Sequence, residues 1–144
     1  METEILRVEK KINAAPARLF RAWVTAKDFS RWFIPGNPVS IGAVTLDARP
    51  GGRFRIDMIV DGVLRPHEGE YKVVDEPNKL VFTWRSFMTE DRDSLVTVTF
   101  AADGAGTHLT LIHEKLPNDT AKIQAHHEGW TSILNGLDAF AESV

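Results

Sequence analysis

The stretch Arg53-Phe54-Arg55-Ile56-Asp57-Met58-Ile59-Val60, closed by Asp61-Gly62, decides the fold. Phe54, Ile56 and Met58 recur at every second position, the period of a strand with one buried face. Asp-Gly after such a run is the strongest short hairpin signal, because the tight turn needs positive φ. The same grammar repeats outward from this segment. Turn chemistry recurs at Pro50-Gly51-Gly52, Glu76-Pro77-Asn78, the acidic stretch Thr89 to Asp93, and Asp103-Gly104-Ala105-Gly106. Between these turns lie the alternating segments Val44–Arg49, Gly69–Val74, Leu80–Phe87, Leu95–Ala101 and His108–Glu114. Six successive strands joined by short turns predict an antiparallel meander, not the βαβ order of a parallel sheet.

The flanks complete an α+β plan. Leu6, Val8 and Ile12 share one side of a strand over Glu4–Ile12, which Asn13 and Pro16 end. Proline suits a first helical turn, where its missing N–H would be unpaired anyway. Leu19, Phe20, Trp23 and Val24 then repeat with helical spacing over Pro16–Ala26. Asp28 is the expected N-cap of a second short helix with Phe29, Trp32 and Phe33 inward, ended by Pro35, Gly36 and Pro38. Asp119 to Ser143 reads as one long helix, about 36 Å at 1.5 Å per residue, enough to cross a sheet. Its apolar stripe is Ile123, His126, Trp130, Ile133, Leu134, Leu137 and Ala141. Gly129 and Gly136, one heptad apart on its flank, suggest close packing against the sheet, since glycine costs about 1 kcal/mol inside a helix.

Composition sets the bounds. A chain of 144 residues, 43% hydrophobic and 26% charged, suits one soluble domain able to bury a core without staples. A net charge of −3 gives no basic face for nucleic acid. Zero cysteines exclude a disulfide framework and fit a reducing compartment. Glu2, Glu4 and Glu9 interrupt the N-terminal apolar residues, unlike a secretory signal, and no apolar run reaches bilayer length. The expectation is a cytoplasmic protein without membrane insertion. No P-loop, dinucleotide fingerprint or Gly-x-Ser-x-Gly elbow occurs, so no cofactor is expected.

The element order strand, two short helices, six strands, long helix is that of the helix-grip fold, shared by the SRPBCC superfamily of START-like and birch-pollen-allergen-like domains. Trp32-Phe33 with Pro35 and Asp47-Ala48-Arg49-Pro50-Gly51-Gly52-Arg53-Phe54 resemble the family related to the activator of heat-shock protein 90 ATPase. So do Gly69-Glu70-Tyr71, Leu80-Val81-Phe82-Thr83-Trp84, Val96-Thr97-Val98-Thr99-Phe100, and His126 with Gly129-Trp130 and Leu134. The resemblance runs from about Ile5 to Phe140. It implies a curved antiparallel sheet of about seven strands around the long helix, with a deep cavity between them. It also implies apolar small-molecule ligands; some relatives are polyketide cyclases or aromatases, and others sequester a toxic metabolite. The eukaryotic co-chaperone carries a further N-terminal domain to which nothing here corresponds, which weakens the case for a chaperone partner.

Strand parity then nominates the cavity lining. Leu109, Leu111 and His113 share a side, as do Val96, Val98 and Phe100, and Leu80, Phe82 and Trp84. The expected ligand-binding set is Trp84, Phe100, Leu111, His113, His126, Trp130, Leu134 and Arg53. His113 reads either as a ligand hydrogen-bonder or as a satisfied core histidine. His126 reads either as a polar handle able to move protons or as a helix-to-loop anchor. Asp47, Arg49, Arg53, Arg55 and Asp57 form a solvated charge ladder, with Arg53 the expected exception at the cavity rim. Glu70 is a pocket carboxylate or an arginine's cross-strand partner. Adjacent His126 and His127 point about 100° apart and lack the His-Glu-x-x-His spacing, so no metal site is expected. No residue is nominated as catalytic. The leading reading is a binder of a small hydrophobic molecule, monomeric or weakly dimeric. The alternatives are a cyclase-like or hydratase-like enzyme, in which a histidine, Glu70 and an arginine would converge, and a chaperone-pathway interaction module.

Overall fold

The computed structural model describes residues 3–36 and 39–142. The elements run β1 (Thr3–Ile12), α1 (Pro16–Val24), α2 (Ala26–Trp32), β2 (Val39–Leu46), β3 (Arg53–Val60), β4 (Val63–Asp75), β5 (Lys79–Trp84), β6 (Ser94–Asp103), β7 (Gly106–Pro117) and α3 (Thr120–Glu142). A single 3-10 turn, Phe87–Thr89, separates β5 from β6. The strands form one curved antiparallel sheet in the order β1-β7-β6-β5-β4-β3-β2. β2 to β7 are the predicted meander, and β1 adds to its far edge, with Leu6 opposite His113 and Val8 opposite Leu111. This is the helix-grip architecture.

Local chemistry explains where the elements depart from the expected bounds. β2 runs over Val39–Leu46 rather than Val44–Arg49, because a bulge between Ile41 and Val44 interrupts its alternation. β4 starts at Val63, not Gly69, and accommodates Pro66 on the stretch that pairs with β3 alone, where no second ladder needs its N–H. β5 stops at Trp84. Thr25 occupies the N-cap of α2, and Asp28 sits in the first turn, where its carboxylate still faces the positive helix end. Asp119 caps α3: its Oδ1 accepts from the backbone N–H groups of Ala121 (3.0 Å) and Lys122 (3.2 Å). Pro38 and Ser143, read from sequence as helix ends, lie outside the described residues.

Most of the concave face is filled by α1 and α2 rather than left hollow. Leu19, Phe20, Trp23, Phe29, Trp32 and Phe33 are all buried. Trp32 Nε1–H donates to the Ala22 carbonyl at 2.9 Å, stapling α2 to α1. Phe20 and Trp23 meet Phe100 edge-on at 5.5 and 6.1 Å between centroids. Each such ring contributes on the order of 2–3 kcal/mol through buried area alone. α3 lies against β1 and α2. Lys10 Nζ on β1 reaches Asn135 Oδ1 at 2.9 Å and Asp138 Oδ2 at 3.6 Å on the helix.

The two helix glycines therefore differ. A Cβ on Gly136 would run into the Trp32 carbonyl, so its close packing is against α2, not the sheet. A Cβ on Gly129 would meet open space. Gly136→Ala is expected to lower stability by roughly 1–3 kcal/mol through overpacking. Gly129→Ala is expected to raise it by up to about 1 kcal/mol through helix propensity. Urea denaturation midpoints of the two variants check this opposition of sign.

Candidate functional site

A cavity of about 400 Å³ remains at one end of the concave face. The α3 residues Ala125, His126, Glu128, Gly129, Trp130 and Ile133 form one wall. Met58 and Val60 of β3, His67 of β4 and Trp84 of β5 form the sheet side. Pro35, Gly36 and Val39 close a third side, and Phe87 and Met88 the last. The chain reaches that last wall through a capping box: Ser86 Oγ accepts from Met88 N–H (3.1 Å) and Ser86 N–H donates to Thr89 Oγ1 (3.0 Å). The Arg65 guanidinium lies over the half-exposed Phe87 ring at 4.5 Å.

Beneath the cavity a hydrogen-bond chain ties α3 to three strands. Trp130 Nε1–H donates to His113 Nδ1 at 3.0 Å. An indole can only donate, so Nδ1 carries no proton, and His113 Nε2–H donates to Ser94 Oγ at 2.7 Å. The Ser94 hydroxyl in turn donates to the Trp84 carbonyl at 2.6 Å. His113 is fully buried and satisfied on both nitrogens; burial, with the neighbouring His126 adding to it, holds its pKa well below the ordinary imidazole value. It is the satisfied core histidine of the two readings.

His126 and His67 differ from His113. His126 Nδ1 lies 2.7 Å from the Lys122 carbonyl and His67 Nδ1 3.0 Å from the Arg65 carbonyl. A carbonyl only accepts, so each neutral ring carries its proton on Nδ1 and leaves Nε2 as a lone pair. Burial lowers both pKa values, that of His67 to about 4. The Trp84 indole is the third polar group: its Nε1–H is shielded from water and has no acceptor among the described residues. Such an orphan costs about 1–3 kcal/mol.

Of the residues nominated from sequence, Trp84, His126 and Trp130 line the cavity. Phe100, Leu111 and Leu134 are buried in the core outside the cavity lining, and the α1 rings Phe20 and Trp23 cover Phe100. His113 lies behind Trp130. Arg53 belongs to the ladder: its side chain is 66% exposed, with Nη1 3.9 Å from Glu70 Oε1, while Glu70 Oε2 meets Lys72 Nζ at 3.2 Å. His67, Met88 and Val39 were not nominated. The inward parity of Gly69 and Tyr71 extends to His67, but only once the strand is carried back past Pro66. Among the described residues no three His, Cys, Asp or Glu side chains converge as a metal would require, and no helix is long and apolar enough to cross a membrane.

A seven-stranded sheet gripping a C-terminal helix, with an aromatic-walled cavity between them, defines a helix-grip protein of the SRPBCC class. The model of the family "Activator of Hsp90 ATPase homolog 1-like protein" matches residues 13–142, and the chain belongs to that family. Solved structures agree on the fold. A Chromobacterium violaceum protein superimposes with TM-score 0.85 at 24% identity, covering 96% of this chain and 98% of its own. A Rhizobium leguminosarum protein gives 0.77 at 27% identity, covering 99% and 97%. An AHSA1-like protein from Aeromonas hydrophila gives 0.77 at 21% identity, covering 97% and 93%. No curated protein matches the sequence.

The buried neutral imidazoles carry a pH consequence. Unfolded histidines bind protons near pH 6.5, whereas His67 does so only near pH 4 and His113 lower than usual. Stability is therefore full above about pH 7 and falls as the pH drops from about 6.5 towards 4. His67 alone should remove about 1.4 kcal/mol per pH unit between roughly pH 6 and 5, and His113 adds to the loss in the same direction. Imidazole proton resonances of both should stay constant from about pH 7.5 to 5.5 in the folded protein; a titration near 6.5 would refute their buried neutral state.

Proposed function

We propose that this protein binds a small apolar or aromatic molecule in the cavity between α3 and the β3–β5 end of the sheet, for transport, sensing or sequestration. The observation that carries this reading is Gly129. Gly129 lies in the cavity wall next to the buried Trp130, and a Cβ there would meet nothing within 4 Å, whereas the other helix glycine, Gly136, is closed by the Trp32 carbonyl. The cavity volume is in the range of small-molecule sites, and its walls are chiefly Met58, Val60, Trp84, Phe87, Trp130 and Ile133. The absence of cysteine supports a cytoplasmic location, where no disulfide would be gained. An enzyme of cyclase or hydratase type is less well supported. It calls for a histidine, Glu70 and an arginine at one point, and Glu70 is instead held by Arg53 and Lys72 on the outer face.

N-Phenyl-1-naphthylamine, a neutral probe that brightens in apolar surroundings, tests the proposal. The native protein should show saturable binding of one probe, and at about a hundred times the dissociation constant a stabilisation of about 2.7 kcal/mol. Gly129→Phe, which places a ring in the cavity, should abolish binding while the protein still melts cooperatively. Binding that is unsaturable, or unchanged in folded Gly129→Phe, refutes the site.

A further inference from the structure

The walls make the cavity aromatic; its polar atoms make it selective. We infer that it selects neutral hydroxyarenes, taking the ligand's O–H on the Nε2 lone pair of His67 or His126. The inference rests on the proposed binding role and adds a chemical rule to it.

Three observations support the rule. First, both imidazoles are fixed as acceptors: the Arg65 and Lys122 carbonyls hold their Nδ1 protons, so the remaining nitrogen can receive a proton donor but cannot offer one. Burial keeps both rings neutral. Second, Trp84 lines the same cavity with its ring, whose centroid lies 5.3 Å from that of His67, so an arene packed on it brings a ring hydroxyl beside the imidazole; its Nε1–H, out of reach even of water, takes no part. A phenolic hydroxyl donates to such a nitrogen while carrying no charge. Third, among the described residues no lysine or arginine lines the cavity, and the one charged lining residue, Glu128, is acidic. A carboxylate ligand would meet lone pairs and a like charge. The Trp84 and Trp130 rings, 5.1 Å apart at 53°, give a flat arene faces to pack on.

Three naphthalenes separate these terms by titration calorimetry at neutral pH. 2-Methoxynaphthalene keeps the ring and the acceptor oxygen of 2-naphthol but not its proton; 2-naphthoate replaces the hydroxyl with an anion. 2-Naphthol should bind about tenfold more tightly than 2-methoxynaphthalene, and 2-naphthoate more weakly than either. In His67→Phe/His126→Phe the advantage of naphthol over its methyl ether should fall to roughly twofold or less. Nitrogen NMR of the native protein needs no substitution. Naphthol, and not its ether, should move the Nε2 resonance of His67 or His126 in the direction of a newly accepted hydrogen bond. Equal affinity for naphthol and its ether, tightest binding of naphthoate, or unmoved Nε2 resonances with naphthol bound would overturn the inference and leave the cavity's binding role standing. If N-phenyl-1-naphthylamine and all three naphthalenes fail to bind, the binding role itself falls, and the hydroxyarene rule with it.

Discussion

The hydrogen-bond chain from Trp130 through His113 and Ser94 to the Trp84 carbonyl sets the geometry on which the candidate site depends. It crosses from α3 to β7, then to β6, then to β5, and every donor in it has one acceptor. The chain works only with His113 neutral and protonated on Nε2. Protonation of Nδ1 would set two N–H groups against each other where no water screens them. The separation of α3 from the sheet is thereby fixed by covalent side-chain lengths rather than by loosely packed hydrocarbon. Trp130 and Trp84, the two ends of the chain, are also the aromatic walls of the cavity. The dry network beneath and the open volume above are two sides of one arrangement.

The helix-grip plan is usually pictured as a bowl with a helix across it. Here α1 and α2 take a large share of the bowl. Their rings reach Phe100 on β6, and Trp32 presents its carbonyl to the bare backbone of α3 at Gly136. The remaining volume is displaced towards the hairpin between β3 and β4 and the 3-10 turn after β5. That displacement separates two kinds of buried histidine. One is consumed in holding the frame, and two line the cavity with Nε2 as a lone pair.

The sheet was legible in the sequence because alternation and turn chemistry are local. Phe54, Ile56 and Met58, or Leu80, Phe82 and Trp84, declare their common side without reference to anything distant. Parity does not say how far along a strand the cavity lies. Phe100, Leu111 and Leu134 share the inward side with Trp84 and Trp130, yet they are buried outside the cavity lining, and the sequence does not specify the docking of the α1 rings that cover Phe100. His67 stayed hidden because Pro66 reads as a strand breaker, and only pairing of that stretch to β3 alone makes it tolerable. Met88 depends on Ser86 and Thr89 acting as a reciprocal cap, a pattern two side chains long that is easily read as the end of a strand. Arg53 looked like a rim residue by charge type, and cross-strand pairing with Glu70 decided otherwise.

The pairing of β1 with β7 has a consequence for biosynthesis. Of the described elements β1 is made before all others and its partner is the last strand, with about a hundred residues between Leu6 and His113. During translation the meander from β2 onward can zip strand by strand as it emerges, since each hairpin closes locally. β1 has no such neighbour and must wait on the ribosome with its edge unsatisfied, kept from straying by the alternating charges of Arg7, Glu9 and Lys11. Only the final two elements, β7 and α3, release it, so the sheet is completed and the cavity enclosed in the same late event.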